Sequence, residues 1–165
     1  MPIPEYVATL REKIGTDLIW LPGASAYILR ESDQSGTEVL LVKRSDNGRW
    51  TPVTGICDPG EEPDMTAQRE ALEEAGVHIE VERLLAVSAL RPIAYDNGDR
   101  CQYLDHAFRC RWVSGAARVG DEESTDVRWF PVDELPPLLP RFERQLALAL
   151  ADDGPVLFGA SGRHR

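Results

Sequence analysis

Glu70, Glu73 and Glu74 are separated by three and four residues, a spacing that makes side chains neighbours on one face of a helix. Like charges so placed destabilise a helix until something neutralises them. Hard divalent cations take oxygen ligands, and magnesium in particular is held by a few carboxylates together with waters and substrate phosphates. The chemistry this trio invites is therefore cation-assisted work on a phosphate group. Arg69, next in the chain, is placed to pair with one of the glutamates and set its rotamer. Met65, Ala71, Leu72 and Ala75 fall on the other side, so the helix is expected to dock through that apolar stripe and turn its acidic side outward.

An acidic run such as REALEEAG is by itself an ordinary solvated face. Its upstream context is more specific: Gly55, five residues, Glu61, seven residues, then Arg69-Glu70-Ala71-Leu72-Glu73-Glu74-Ala75-Gly76-Val77. This arrangement resembles the Nudix box, with every fixed position filled and the small Ala71 at the first aliphatic one. The resemblance implies a Nudix-type α/β/α sandwich with a mixed β-sheet. It also implies a hydrolase cleaving a phosphoanhydride in a nucleoside diphosphate linked to another moiety, such as ADP-ribose, with Mg²⁺ as cofactor and Mn²⁺ able to substitute.

By the same resemblance, Glu70, Glu73 and Glu74 are the metal ligands and the Gly55 carbonyl is a backbone ligand. Arg69 acts as an orienting partner, and Glu61 is structural. A further ligand is expected from a late acidic loop, with Glu123 as first choice and Glu122 as second. Which glutamate takes the proton from water varies across the family and stays open. Thr54 stands where many members carry glycine, so the loop backbone before Gly55 is expected to differ, because threonine does not share the tolerance of glycine for positive φ. Three alternatives remain: a (deoxy)nucleoside triphosphate pyrophosphohydrolase, a prenyl diphosphate isomerase, and a catalytically silent binding module. The last two would degrade the box, which is intact here.

The elements that must position these residues follow from periodicity and breakers. A short amphipathic helix is expected over residues 3–14, through Tyr6, Val7, Leu10 and Ile14, stopping at Gly15. Leu18 to Leu29 reads as a strand entered through a Pro22-Gly23 turn, Glu31 to Thr37 as a loop, and Val39 to Val42 as a buried strand. Trp50 to Val53 leads into the box, Asp58-Pro59-Gly60 turns the chain, and Pro63 opens the acidic helix. Ile79 to Leu90 is strand-like, and Asn97-Gly98 precedes another strand from Gln102 to Trp112. In that strand Leu104, His106, Phe108, Cys110 and Trp112 alternate onto one face. Val127 to Phe130 is a last strand, Arg141 to Ala151 a helix carrying Phe142, Leu146 and Leu150 inward, and residues 159–165 a loose tail.

At 165 residues the chain suits one catalytic domain spanning 1–165. A formal net charge of −10 argues against a nucleic-acid backbone binder. It remains compatible with a small nucleotide or other diphosphate substrate, because bound divalent ions invert local electrostatics. Cys57, Cys101 and Cys110 are too few and too irregular for a disulfide framework or a zinc site. With no apolar run long enough for a bilayer and no signal-peptide core, a cytoplasmic location without membrane association is expected. A homodimer through the N-terminal helix is a further expectation. Trp50 and Tyr95 are candidates to stack on a base or ribose, and Arg44 and Arg91 to contact phosphate. His106 reads first as a hydrogen-bonded core residue and second as a catalytic base.

Overall fold

A computed structural model describes residues 3–158. The chain runs α1 (Glu5–Ile14), β1 (Ile19–Ser32), β2 (Gly36–Arg44), β3 (Trp50–Thr51), β4 (Val53–Ile56) and α2 (Pro63–Ala75). It continues through β5 (His78–Ala89), β6 (Ile93–Ala94), β7 (Arg100–Ser114), β8 (Ser124–Pro131), α3 (Pro140–Leu150) and β9 (Leu157–Phe158). The strands form a mixed sheet whose main path is β3-β2-β1-β7-β5-β9, with β4 on β1, β6 on β7 and β8 on β2. β1 and β7 run parallel, with Ala24 opposite His106, while β4 pairs antiparallel to β1 and sets Gly55 opposite Ala24.

Helices cover both faces of the sheet, giving the α/β/α sandwich. Alternate residues of β1 divide between the layers, as period-two geometry requires. Ala24, Ala26 and Ile28 join Val53, Phe108 and Cys110 beneath α2. Tyr27 and Leu29 join Val39, Leu41 and Ala107 beneath Phe142, Leu146 and Ala149 of α3. A smaller cluster seats α1, with Val7 and Leu10 against Ile19, Leu21 and Cys101.

Several sequence expectations are refined by this packing. α1 starts after Pro4 and stops at Gly15, whose φ of 58° ends the helix. Only its Val7 is buried, whereas Tyr6 and Ile14 are exposed. β1 passes unbroken through Pro22 and Gly23. The Pro22 carbonyl accepts from the Cys57 N–H at the end of the β1–β4 pairing, where a missing proline donor costs least. Pro52 divides the expected Trp50 to Val53 strand into β3 and the start of β4. On β7, Phe108 and Cys110 are buried under α2 but Asp105 and Ala107 are buried on the opposite side, because both faces of the sheet are covered. In α3, Ala149 takes the inward position and Leu150 is exposed. β9, only two residues long, had no periodicity to announce it. The expected tail at 159–165 lies outside the described residues. Among those described, no helix is long and apolar enough to cross a membrane.

Candidate functional site

The acidic helix is positioned at both ends. Pro63 occupies its first turn, and Gly76 closes it at φ 68°, donating to the carbonyls of Ala71 and Leu72. The segment after β7 then caps the remaining carbonyls: Arg118 N–H donates to Ala75 O and Gly120 N–H to Glu74 O, each at 3.0 Å. Gly120 must be glycine here, because a Cβ would lie 1.8 Å from the Glu73 carbonyl oxygen. Three residues on, Glu123 is buried while Glu122 before it is exposed, so this loop turns Glu123 toward the helix. The Glu123 N–H is fixed by Asp121 Oδ1 at 2.9 Å, and its carbonyl accepts from Ser45 N–H at 2.7 Å.

The buried side of α2 keeps Ala71 and Ala75 of the stripe expected from hydropathy but not its two large members. Met65 and Leu72 are exposed, while Thr66, Ala67, Glu70, Ala71, Glu74 and Ala75 are buried. Ala67, Ala71 and Ala75, spaced by four, form a row of small side chains that lets the helix backbone approach the sheet closely. That approach draws Glu70 and Glu74 inward to 5 % and 2 % exposure, whereas Glu73 stays at the surface. Burial pushes the Glu74 carboxyl up to about 9, with Glu123, Glu70 and Asp121 reinforcing and Arg44 opposing. Glu70 is likewise pushed up by burial, to about 7, against the pull of Arg69.

Gly55 abuts Glu70 so closely that a Cβ would sit 2.2 Å from the Glu70 carboxyl group. Its φ is not positive, and among the described residues none other than glycine has positive φ, so Thr54 continues the strand without strain. Close approach, rather than a left-handed backbone, is what demands glycine at this position.

Arg69 organises the acidic side. Its Nε and Nη2 donate to the two oxygens of Glu61 at 2.9 Å each, Nη1 to Glu70 Oε1 at 2.8 Å and Glu73 Oε2 at 3.1 Å, and Nη2 to Ile56 O at 3.0 Å. The Arg69 hydrogen bonds hold Glu61 down at about 2, helped by the Thr66 hydroxyl and the Asp58 N–H. Among the described residues no three His, Cys, Asp or Glu side chains already converge as a closed metal cage. The donor set still suits a hard cation. Glu74 Oε1 is buried with no hydrogen-bond partner, and the cradle at Gly55 brings backbone and the Glu70 carboxylate together. Carboxylates held apart, with waters and phosphate completing the shell, are the usual arrangement for magnesium.

The NUDIX domain family profile matches residues 20–150, spanning every element from β1 to α3. The chain belongs to the NUDIX family. It is 32 % identical over 127 residues to a MutT-like protein of Streptomyces ambofaciens, covering 76 % of this chain and 77 % of that one. Identity to the human 8-oxo-dGDP phosphatase NUDT18 is 34 % over 117 residues, covering 67 % of this chain but only 32 % of NUDT18. Among solved structures, an ADP-ribose pyrophosphatase from Streptococcus suis superposes with a TM-score of 0.61 at 24 % identity, covering 84 % of this chain and 98 % of that one. The fold is that of the Nudix hydrolases, and this chain is a Nudix hydrolase acting on phosphoric anhydrides.

Beside the Nudix helix lies a cleft of about 980 Å³ lined by Glu70, Glu73, Asp121 and Glu123, with Ile3, Tyr6 and Thr9 forming another side. Sequence reasoning missed this N-terminal contribution, since more than forty residues separate it from the box and nothing in the local pattern signals the contact. Of the proposed substrate contacts, Arg44 lies near Glu74 and Glu123, whose charges it feels, and is held by Asp46 at 3.0 and 2.9 Å. None of the four lines the cleft. Trp50 packs edge-on against Phe130 at 4.9 Å, the Tyr95 hydroxyl meets that of Tyr103 at 2.8 Å, and Arg91 is exposed beyond β5. His106 Nδ1 is 2.9 Å from Gly23 O, a structural hydrogen bond tying β7 to β1.

Proposed function

We propose that this Nudix hydrolase cleaves the phosphoanhydride of a nucleoside diphosphate linked to another moiety, with ADP-ribose as the leading representative, and that it requires Mg²⁺ or Mn²⁺. The observation that carries the reading is that Glu70, Glu74 and Glu123 are all buried and near enough for Glu70 and Glu123 to press like charge on Glu74, with Glu70 against Gly55 and both Glu70 and Glu123 lining a cleft larger than a diphosphate needs. Such a concentration of buried carboxylates is costly unless a cation is shared among them.

Glu70, Glu74, Glu123 and the Gly55 carbonyl would hold the cation, with Glu73 reaching in from the exposed side. Bound there, a divalent ion neutralises phosphoryl oxygens and activates a water nucleophile. The chain's own contribution is geometric. Arg69 clamps Glu70 and Glu73 against Glu61, so the carboxylates meet substrate already oriented. Glu122 points away and is set aside in favour of Glu123.

Incubation with ADP-ribose, other nucleoside diphosphate derivatives and nucleoside triphosphates in Mg²⁺ or Mn²⁺, with products separated and counted, tests the reading. ADP-ribose is expected to yield AMP and ribose 5-phosphate. Turnover of no substrate with either ion would overturn it. A second reading, hydrolysis of damaged purine nucleotides, is favoured by the 34 % identity to NUDT18. Preferential turnover of 8-oxo-dGDP or the corresponding triphosphate would select it.

A further inference from the structure

Tyr6 lies on the wall of the acidic cleft with 47 % of its surface exposed, on a helix that is otherwise firmly docked. Val7 and Leu10 anchor that helix in the cluster with Ile19, Leu21 and Cys101. Arg11 pins its far end, donating from Nη1 to Gly15 O at 3.0 Å and Asp17 O at 2.6 Å, and from Nη2 to Arg100 O at 2.8 Å. The inward face of α1 thus has its packing supplied without Tyr6.

Tyr6 and Thr9, three apart on α1, share one stripe, and Ile3, just before the helix, joins them in lining the cleft. With Pro59 they make an apolar and aromatic wall beside the acidic floor. A diphosphate gains nothing from that wall. Glu5 adds negative charge to it, and Arg69, the cationic residue lining the cleft, is engaged by Glu61, Glu70 and Glu73. An uncharged planar group is what such a wall can hold. The aromatic residues singled out from sequence are occupied elsewhere, Trp50 by Phe130 and Tyr95 by Tyr103.

We propose that Tyr6 is a specificity residue whose ring stacks on the nucleobase of the substrate, while the diphosphate lies on the carboxylate floor. The proposal rests on the hydrolase reading above and assigns the N-terminal helix a part in it. Stacking needs the ring and not the hydroxyl, so Tyr6→Phe and Tyr6→Ala separate the two contributions.

The test is calorimetric titration in Mn²⁺ with two non-hydrolysable probes, α,β-methylene-ADP and the base-free methylenediphosphonate. Loss of one base–aromatic stack is expected to weaken α,β-methylene-ADP about tenfold in Tyr6→Ala while leaving Tyr6→Phe and all methylenediphosphonate affinities within about twofold of wild type. Unchanged nucleotide affinity in Tyr6→Ala, or equal weakening of both probes, would overturn the proposal. Wild-type protein binding the nucleotide no better than methylenediphosphonate would also overturn it and leave the hydrolase reading standing. Wild-type protein binding neither probe would remove both.

Discussion

Glu74 is 2 % exposed, its Oε1 has no hydrogen-bond partner, and Glu70 and Glu123 press like charge upon it. A carboxyl so placed contributes little to folding and is well placed to serve a cation. Glu74→Gln is expected to keep the fold, read by circular dichroism, and to lower kcat by about two orders of magnitude or more, as loss of transition-state charge stabilisation does elsewhere. Near-normal turnover would remove Glu74 from the machinery. Glu61 has the opposite character, since Arg69 holds its carboxyl at about 2 against an ordinary 4.5. The depressed value means its stabilisation is fully present above pH 4.5 and is lost as pH falls toward 2. Its side chain is 14 % exposed, so after screening the contribution is on the order of 2 kcal/mol. Glu61→Gln is expected to be less stable by that amount at neutral pH, with the gap to wild type closing through the acid limb. Chemical denaturation across pH measures both, and a gap independent of pH would deny Glu61 this role.

The helix α2 and the loop that caps it act together. The loop's N–H groups satisfy the carbonyls of Glu74 and Ala75, and the same loop delivers Asp121 and Glu123 to the cleft. A defect in the cap should therefore reach the site. Gly120→Ala forces a Cβ into the Glu73 carbonyl and must lift the loop from the helix end. Overpacking of this kind costs about 1–3 kcal/mol. The expected outcome is a modest fall in thermal midpoint with a disproportionate fall in kcat, because Glu123 moves with the loop. A variant that loses stability but keeps kcat would show that the loop's position does not matter to turnover. α3 serves as the contrast on the opposite face: Phe142 and Leu146 fill the other core layer and line no part of the cleft.

A net charge of −10 is unfavourable for an enzyme that must receive an anion. Among the residues lining the cleft the balance is again acidic, with Arg69 already paired. The proposed cation resolves this conflict, since it supplies the largest positive charge in the site. Treatment with a chelator is accordingly expected to abolish turnover while leaving the circular dichroism spectrum unchanged, because the alanine row docks α2 on its core layer without metal. Re-addition of Mg²⁺ or Mn²⁺ is expected to restore activity. Full activity in the chelated protein would contradict metal dependence.

The spacing of Gly55, Glu61, Arg69, Glu70, Glu73 and Glu74 was sufficient to name the family and the class of bond, because a helix places residues three and four apart side by side wherever it lies. Proline and glycine punctuation likewise marked the start of α2, the turn before it and the end of α1, since those residues act on local backbone alone. Which side of α2 faces the core was another matter. Hydropathy favoured Met65 and Leu72, yet the small side chains of Ala67, Ala71 and Ala75 permit the closest approach, and closeness decided the outcome. The glycine requirement at Gly55 and the burial of Glu123 beside exposed Glu122 depend on atoms brought near from distant segments. So does the arrival of Tyr6 at the cleft. Local pattern determined the acidic face of the helix, and only the packing of α1 and the late loop around it decided what else lines the cleft.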